Sequence, residues 1–423
     1  MKQTVHNVTP IHPFPARMAP DIALSFINSL PKRSLIVDPM MGSGTVIRTA
    51  VETGHSAVGV DIDPLAVLIA RVWATSINTD RLRQQARRLV LTAVGTPLDD
   101  AHLPWIDDDQ ETAEFIAYWF ALRQRNALRK LSSLLVGRRG VVADALRLCI
   151  SKMIVTKSRG ASLADDVSHS RPHKVREIND YKVYDEFLKV VDRLAKRLAH
   201  CDVRSRAVVR RGDARNLDML EDRSADAVVT SPPYLNAIDY MRGHRLALVW
   251  LGHKVADLRS IRGTSVGTER SHLLEPEETA AHPLVARAGD LDKLPPRFKR
   301  MVLRYALDIE AVMAETHRVL KPGGSALFVV GNSRLRGVFV RNTEIITNCA
   351  KTRGLKLIES RKRMIPSFKR YLPPPSTNAR SQILGRMMEE VIITLAKPRP
   401  RRRVTALRAK TQSIARAGGD KVR

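Results

Sequence analysis

Cysteine is scarce in this chain: Cys149, Cys201 and Cys349 are spread over 423 positions, with no C-x-x-C spacing. That excludes a disulfide framework and a cysteine zinc knuckle. No apolar run reaches about 18 residues, so a membrane-spanning helix is excluded as well. The opening stretch MKQTVHNVTPIHPFPARM lacks the apolar centre of a secretion signal, and the expected location is cytoplasmic. Acids are also in short supply. Against 71 Lys and Arg stand 43 Asp and Glu, a formal net charge of +28. Solubility needs far less than this. An excess of this size attracts a polyanion, and nucleic acid is the commonest one.

What is present begins with an alternation of periods. Ser34–Val37 and Ala57–Asp61 are short apolar runs that read as strands, while Val46–Thr53 and Pro64–Ala74 carry helical spacing. A β-α-β-α order predicts a parallel sheet with right-handed crossovers. The pattern resumes later, with strands expected in SRAVVRRGDARNL and SADAVVTSPPY. In ETHRVLKPGGSALFVVGNS a helix ends, the chain turns on Gly323 and Gly324, and a strand follows. NTEIITNCAKTRGLKLIES reads as helix then strand, and EEVIITLAK as a last strand. Between the halves the period is helical, in 115–135, 141–155 and 181–198.

The expected division is therefore a catalytic core in three parts, 1–78, 203–262 and 297–397. A helical insertion fills 79–202 and an irregular one 263–296. The basic tail, 398–423, is expected to be disordered when unbound. From Lys397 to Arg423 there are ten Lys or Arg against one acid, Asp420.

Four short stretches carry the chemistry. In DPMMGSGT, Gly42 and Gly44 let the chain turn tightly and a ligand approach the backbone. No Gly-Lys-Ser/Thr follows, so this is not a phosphate-binding P-loop. Asp38, Asp61 in GVDID and Asp213 in RGDA end three successive strands and would line one rim of the sheet. Acids there disfavour a phosphate-rich cofactor and suit one with an amine, a ribose diol and an adenine amino group. S-adenosylmethionine has all three. Asp63, before Pro64, reads as a helix cap. In TSPPY, two prolines that cannot join a sheet ladder end a strand at Ser231 in a stiff corner.

In this order, DPMMGSGT, GVDID, RGDA and TSPPY resemble the motifs of S-adenosylmethionine-dependent DNA amino-methyltransferases, the N4-cytosine and N6-adenine type. HPFPARM resembles the segment that packs beside the cofactor in those enzymes. The likeness covers roughly residues 10–75 and 205–250 and continues more weakly to the last strand. It implies a Rossmann-like, doubly wound, mostly parallel sheet (a class I methyltransferase) with a helical insertion. It implies that Asp38, Gly42, Ser43, Gly44 and Thr45 hold the methionine end, Asp61 the ribose and Asp213 the adenine amino group. His12, Phe14 and Pro15 would close the pocket. The family usually has Phe where this chain has Met40, so packing on the cofactor would differ.

The resemblance also explains the corner. A base amino group is a poor nucleophile because its lone pair is delocalised into the ring. Ser231 and the Pro232 carbonyl would accept its two N–H bonds and aim the lone pair at the methyl, with Pro233 stiffening the corner and Tyr234 stacking on a flipped base. Cytosine C5 chemistry needs a cysteine nucleophile, usually after proline, and none of the three cysteines follows one. Ser at the first corner position leans towards cytosine N4, with adenine N6 and an RNA guanine-N2 activity as alternatives. A non-catalytic binder on the same fold is disfavoured, because the acids and corner residues are all intact. Double-stranded DNA is the expected partner, with a cognate restriction enzyme as a further one. No metal is expected: His169 and His173 in SHSRPHK have ligand-like spacing but no Cys or acidic neighbour, and Arg171, Lys174 and Arg176 suit phosphates better. The target sequence, the oligomeric state and the role of SFKRYLPPP stay open. The glycine motif precedes TSPPY, the reverse of many relatives, so the helical insertion, the 263–296 insertion or both could read the target.

Overall fold

The computed structural model describes residues 9–15, 17–154, 156–157, 159–165, 172–235, 239–267, 282–365 and 389–400. The tail from 401 onward, residues 268–281 of the irregular insertion, His169, Arg171 and the SFKRYLPPP stretch from Pro366 onward lie outside these.

After helix α1 (Pro20–Ile27), the sheet opens with β1 (Leu35–Asp38), α2 (Thr45–Glu52), β2 (Ser56–Asp61) and α3 (Pro64–Trp73). Then come mainly helices: α4 (Thr79–Gly95), α5 (Pro104–Asp107), α6 (Gln110–Trp119), α7 (Leu122–Ser133), α8 (Val141–Ile154) and α9 (Val183–Ala199), with a two-residue antiparallel pair, Ala164–Asp165 and His173–Lys174, between the last two. Strands return as β3 (Ala207–Arg211) and β4 (Ala225–Thr230), followed by α10 (Tyr240–Leu248) and α11 (Val255–Thr264). The chain closes with α12 (Pro296–Val319), β5 (Leu320–Val330), α13 (Asn342–Thr352), β6 (Lys356–Met364) and β7 (Glu389–Ala396).

Among the described residues these strands form one seven-stranded sheet in the order β3-β2-β1-β4-β5-β7-β6. β3, β2, β1, β4 and β5 are parallel, and β7 is antiparallel to both its neighbours. The doubly wound, mostly parallel sheet is thus observed directly. Alternate residues show why both faces are covered. Ile36, Val229, Leu327 and Ile392 pack with α1 and α2, while Val37, Val228, Phe328 and Ile393 pack with α12 and α13. Each such side chain contributes about 1.5–3 kcal/mol on burial, which explains the apolar runs of β1 and β4. β6 is the exposed edge, and Lys356, Arg361, Lys362 and Arg363 blunt it against further pairing.

The helices after α3 do not float as a separate body. α3 turns Val67 and Ala70 to the sheet side, while Leu65, Leu68, Ile69 and Trp73 join a core shared by α4, α6, α8, α9 and α10. One difference from the sequence reading concerns Gly323 and Gly324. The strand starts ahead of them at Leu320, which pairs with Ala225 of β4, while Gly323 N–H donates to the Lys397 carbonyl and Lys397 N–H to the Gly324 carbonyl. No helix among the described residues is long and apolar enough to cross a membrane.

Candidate active site

The strand order reverses between β1 and β4, since the chain winds from β1 towards β3 on one side and from β4 towards the far edge on the other. In such sheets ligands lie beyond the carboxyl ends of the strands at that reversal. Asp38 ends β1 and Thr230 ends β4. Asp38 Oδ1 accepts from the Thr230 hydroxyl at 2.7 Å and from Met40 N–H at 3.2 Å. Asp38 is 2% exposed. Burial pushes its carboxyl up to about 7, against the pull of the Thr230 and Met40 bonds, and the charge of Asp61 adds to the rise.

The glycine turn leaves little freedom. Gly42 and Gly44 have φ of +50° and +85°, in the region that favours glycine. A Cβ on Gly44 would stand 2.7 Å from that of Ala70 on α3, and one on Gly42 would meet the Phe14 ring at 3.1 Å. Asp61 supports the turn from β2. Its Oδ2 accepts from Gly42 N–H at 2.8 Å and its Oδ1 from Asp63 N–H at 2.9 Å. Burial and the charge of Asp63 push the Asp61 carboxyl up to about 7, although both N–H bonds and His244 oppose this. Ser43 and Thr45 are buried, and the Ser43 hydroxyl has no hydrogen-bond partner.

Of the N-terminal residues, Phe14 lies over the turn and stacks on Tyr240 of α10, ring centroids 5.5 Å apart. Pro15, next to it, is buried. His12 is directed elsewhere. Its Nε2 lies 3.0 Å from the Ser151 hydroxyl of α8, while Lys152 donates to the Ile11 carbonyl at 2.9 Å and Arg197 to that of Pro10. His12 therefore anchors the segment to the helical layer.

Asp213, just beyond β3, is already engaged. Arg215 grips it through Nε to Oδ1 at 3.0 Å and Nη2 to Oδ2 at 2.6 Å, and also reaches Asp308 at 2.6 Å. Burial works against ionisation of Asp213, but the Arg215 bonds outweigh it and hold the carboxyl below its usual range. Sequence spacing could not show this pairing, because Arg215 follows within two residues like any surface arginine.

At the corner, β4 ends at Thr230, one residue before Ser231. The Ser231 hydroxyl donates to the Val329 carbonyl of β5 at 3.0 Å. That donation leaves the oxygen able to accept, with the Tyr234 phenol as its other hydrogen-bond neighbour. Pro232 is buried, and Pro233 and Tyr234 are half-buried. Burial and the charge of Glu390 raise the Tyr234 phenol far above its usual range, with a hydrogen bond to Ser231 opposing them, so it stays a neutral phenol. Two residues escaped the sequence reading: Thr230, which joins the cofactor acid to the corner, and His244, a single histidine on an amphipathic helix. The Asp63 cap is present, Oδ1 accepting from Leu65 N–H at 2.8 Å. Among the described residues no cluster of His, Cys, Asp or Glu could hold a metal ion.

An uncommitted serine hydroxyl at a glycine turn, two carboxyls awaiting a cation or donors, and two left-handed glycines suit a ligand with an amine and a ribose. S-adenosylmethionine fits the methionine and ribose ends better than it fits Asp213, where Arg215 holds both carboxylate oxygens.

No family model matches the chain. It is 24% identical over 428 residues to the type II methyltransferase M.MvaI of Kocuria varians, covering 91% of this chain and 90% of that protein. It is 22% identical to the type II methyltransferase M.BsoBI of Geobacillus stearothermophilus, covering 84% and 80%. A SAM-dependent methyltransferase structure from Methanosarcina mazei aligns over 91% of this chain and all of its own at 11% identity, with a TM-score of 0.32 that leaves the fold to be read from the strand order itself. Over most of its length, then, the chain is similar to proteins named type II methyltransferases, at an identity below one quarter.

Proposed function

We propose that the protein is a DNA methyltransferase that moves a methyl group from S-adenosylmethionine to the exocyclic N4 of cytosine. The observation that carries this is the Ser231 hydroxyl. Its proton goes to Val329, which leaves its oxygen as an acceptor one residue from the Thr230–Asp38 bond. Similarity to M.MvaI and M.BsoBI supports DNA as the substrate class. The net charge of +28 supports a polyanion.

When bound, the co-substrate supplies an electrophilic sulfonium methyl. The chain's residues do the rest. Ser231 Oγ and the Pro232 carbonyl accept the two amino N–H bonds, which draws the nitrogen towards a tetrahedral shape and frees its lone pair. Prolines 232 and 233 hold these acceptors still, so little reorganisation is needed in the transition state. Tyr234, a neutral phenol, offers a face for a base flipped from the duplex. Transfer would join the amino nitrogen to the methyl carbon as the sulfur–methyl electron pair returns to sulfur, and one amino proton would pass to water. Asp38 faces the amine of the methionine end and Asp61 the ribose, and Asp213 can serve the adenine only with Arg215 displaced from one oxygen. Reading of the target falls to the helices of 79–202, which share a core with α3 and α10, or to the 263–296 segment.

The test is incubation with labelled co-substrate and duplex DNA, followed by nucleoside mass spectrometry. N4-methylcytosine is the expected product. N6-methyladenine alone would transfer the reading to adenine, and labelled tRNA with silent DNA would transfer it to RNA.

A further inference from the structure

Five contacts close a ring around the glycine turn. Gly42 N–H meets Asp61 Oδ2 at 2.8 Å, and Asp63 N–H meets Asp61 Oδ1 at 2.9 Å. Asp63 Oδ2 in turn holds His244 Nδ1 at 2.5 Å. The His244 ring lies 5.2 Å from that of Phe14, tilted by 43°. Phe14 returns to Gly42, its Cε1 3.1 Å from where a Cβ on that residue would stand. His244, which α10 brings in from beyond the corner, is therefore part of the rim that carries Asp61.

One atom of this ring has no use within the protein. His244 is fully buried, and its Nε2 has no hydrogen-bond partner. Burial works against ionisation of Asp63, yet His244 and the first N–H groups of α3 hold its carboxyl below the usual range. Asp63 holds the ring at Nδ1, which leaves Nε2 as the one ring nitrogen without a partner within the protein. Buried polar atoms without a partner are uncommon, and each calls for an explanation. Each Asp61 oxygen already holds one backbone N–H, which leaves a single lone pair on each for a ribose hydroxyl.

We propose that His244 Nε2 shares a hydrogen bond with a ribose hydroxyl of the co-substrate, so that His244 is a second sugar-binding residue and Asp63 positions it. This rests on the S-adenosylmethionine reading above. It also assigns the helix after the base-holding corner a direct contact with the methyl donor, so the two halves of the site are registered by one imidazole.

The test is calorimetric binding of S-adenosylhomocysteine and its 2′-deoxy and 3′-deoxy counterparts. Three variants separate the ring from its two nitrogens. His244→Phe keeps the ring against Phe14, His244→Asn keeps a group at the Nδ1 position only, and His244→Gln keeps one at the Nε2 position. The Phe and Asn variants should bind S-adenosylhomocysteine ~10-fold or more weakly, while the Gln variant recovers most of the loss. For one deoxy compound, already weak with the wild type, the same substitutions should change affinity less than ~3-fold. Equal losses for all three ligands, or full recovery by Asn, would assign His244 a purely structural role and overturn the proposal. A wild-type protein that binds none of the three overturns the co-substrate reading itself, which is a separate and recognisable result.

Discussion

Replacing Asp38 with Asn should make the free protein more stable and the site worse. Asp38 is 2% exposed, and burial lifts its carboxyl to about 7, from ~3.9 in an open chain. Between those values the folded protein keeps a proton that the unfolded chain has released. Stability therefore falls as pH rises through this window, and above pH 7 the full deficit is present. At ~1.4 kcal/mol per tenfold in proton affinity, the deficit is about 4 kcal/mol. Asn removes the charge while its Oδ1 can still accept from Thr230 and Met40. Its new N–H bonds need partners, at ~1–3 kcal/mol if unmet. The net expectation at pH 8 is a gain of ~1–3 kcal/mol, seen as a rise of a few degrees in Tm, with no gain at pH 4. Binding of S-adenosylmethionine should weaken by ~10–100-fold, the value of a charged hydrogen bond. Thermal melts of both proteins from pH 4 to 8, with calorimetry at pH 8, check each half. A variant less stable than wild type by the same margin at every pH would refute the buried-charge reasoning.

Other perturbations separate the parts of the site. Ser231→Ala should lower turnover by about 10²–10³ while leaving co-substrate affinity within ~2-fold, and wild-type rates would remove the corner from the chemistry. Gly44→Ala meets both a φ of +85° and the Ala70 Cβ at 2.7 Å, so it should cost ~2–4 kcal/mol; adding Ala70→Gly should recover only the steric part, as denaturant melts will show. Wild-type co-substrate affinity should rise with pH up to about 7, because Asp38 and Asp61 are protonated below it in the free protein; an affinity flat from pH 5.5 to 8 would contradict this. Deleting 401–423 removes eight Lys or Arg. Each lost phosphate contact should flatten log affinity against log salt by about 0.9 for duplex DNA, leaving the methylated sequence unchanged; an unaltered slope would show that this segment does not touch DNA.

Local chemistry was enough to reveal the frame of this protein. An apolar run ending in an acid, then glycines, then a helical period is a statement about neighbours in sequence, so β1, α2, β2 and α3 were legible within a residue or two. Two prolines after Thr230 end β4 for a reason that needs no partner: proline has no N–H to give a ladder. The same holds for the Asp63 cap. Tertiary structure decided what these residues face. The Thr230–Asp38 bond joins residues 192 apart, and Asp63–His244 spans 181. The bond of His12 to Ser151 of α8 needs the fold, and Asp213 looked free until Arg215 closed on it. Nor could periodicity place β7 between β5 and β6, because a strand's alternation records which faces are buried and says nothing of which edge it pairs with. Hydrophobic pattern is local and survives in the sequence, whereas hydrogen-bond partners and electrostatic environment depend on side chains that only folding brings within a few ångströms.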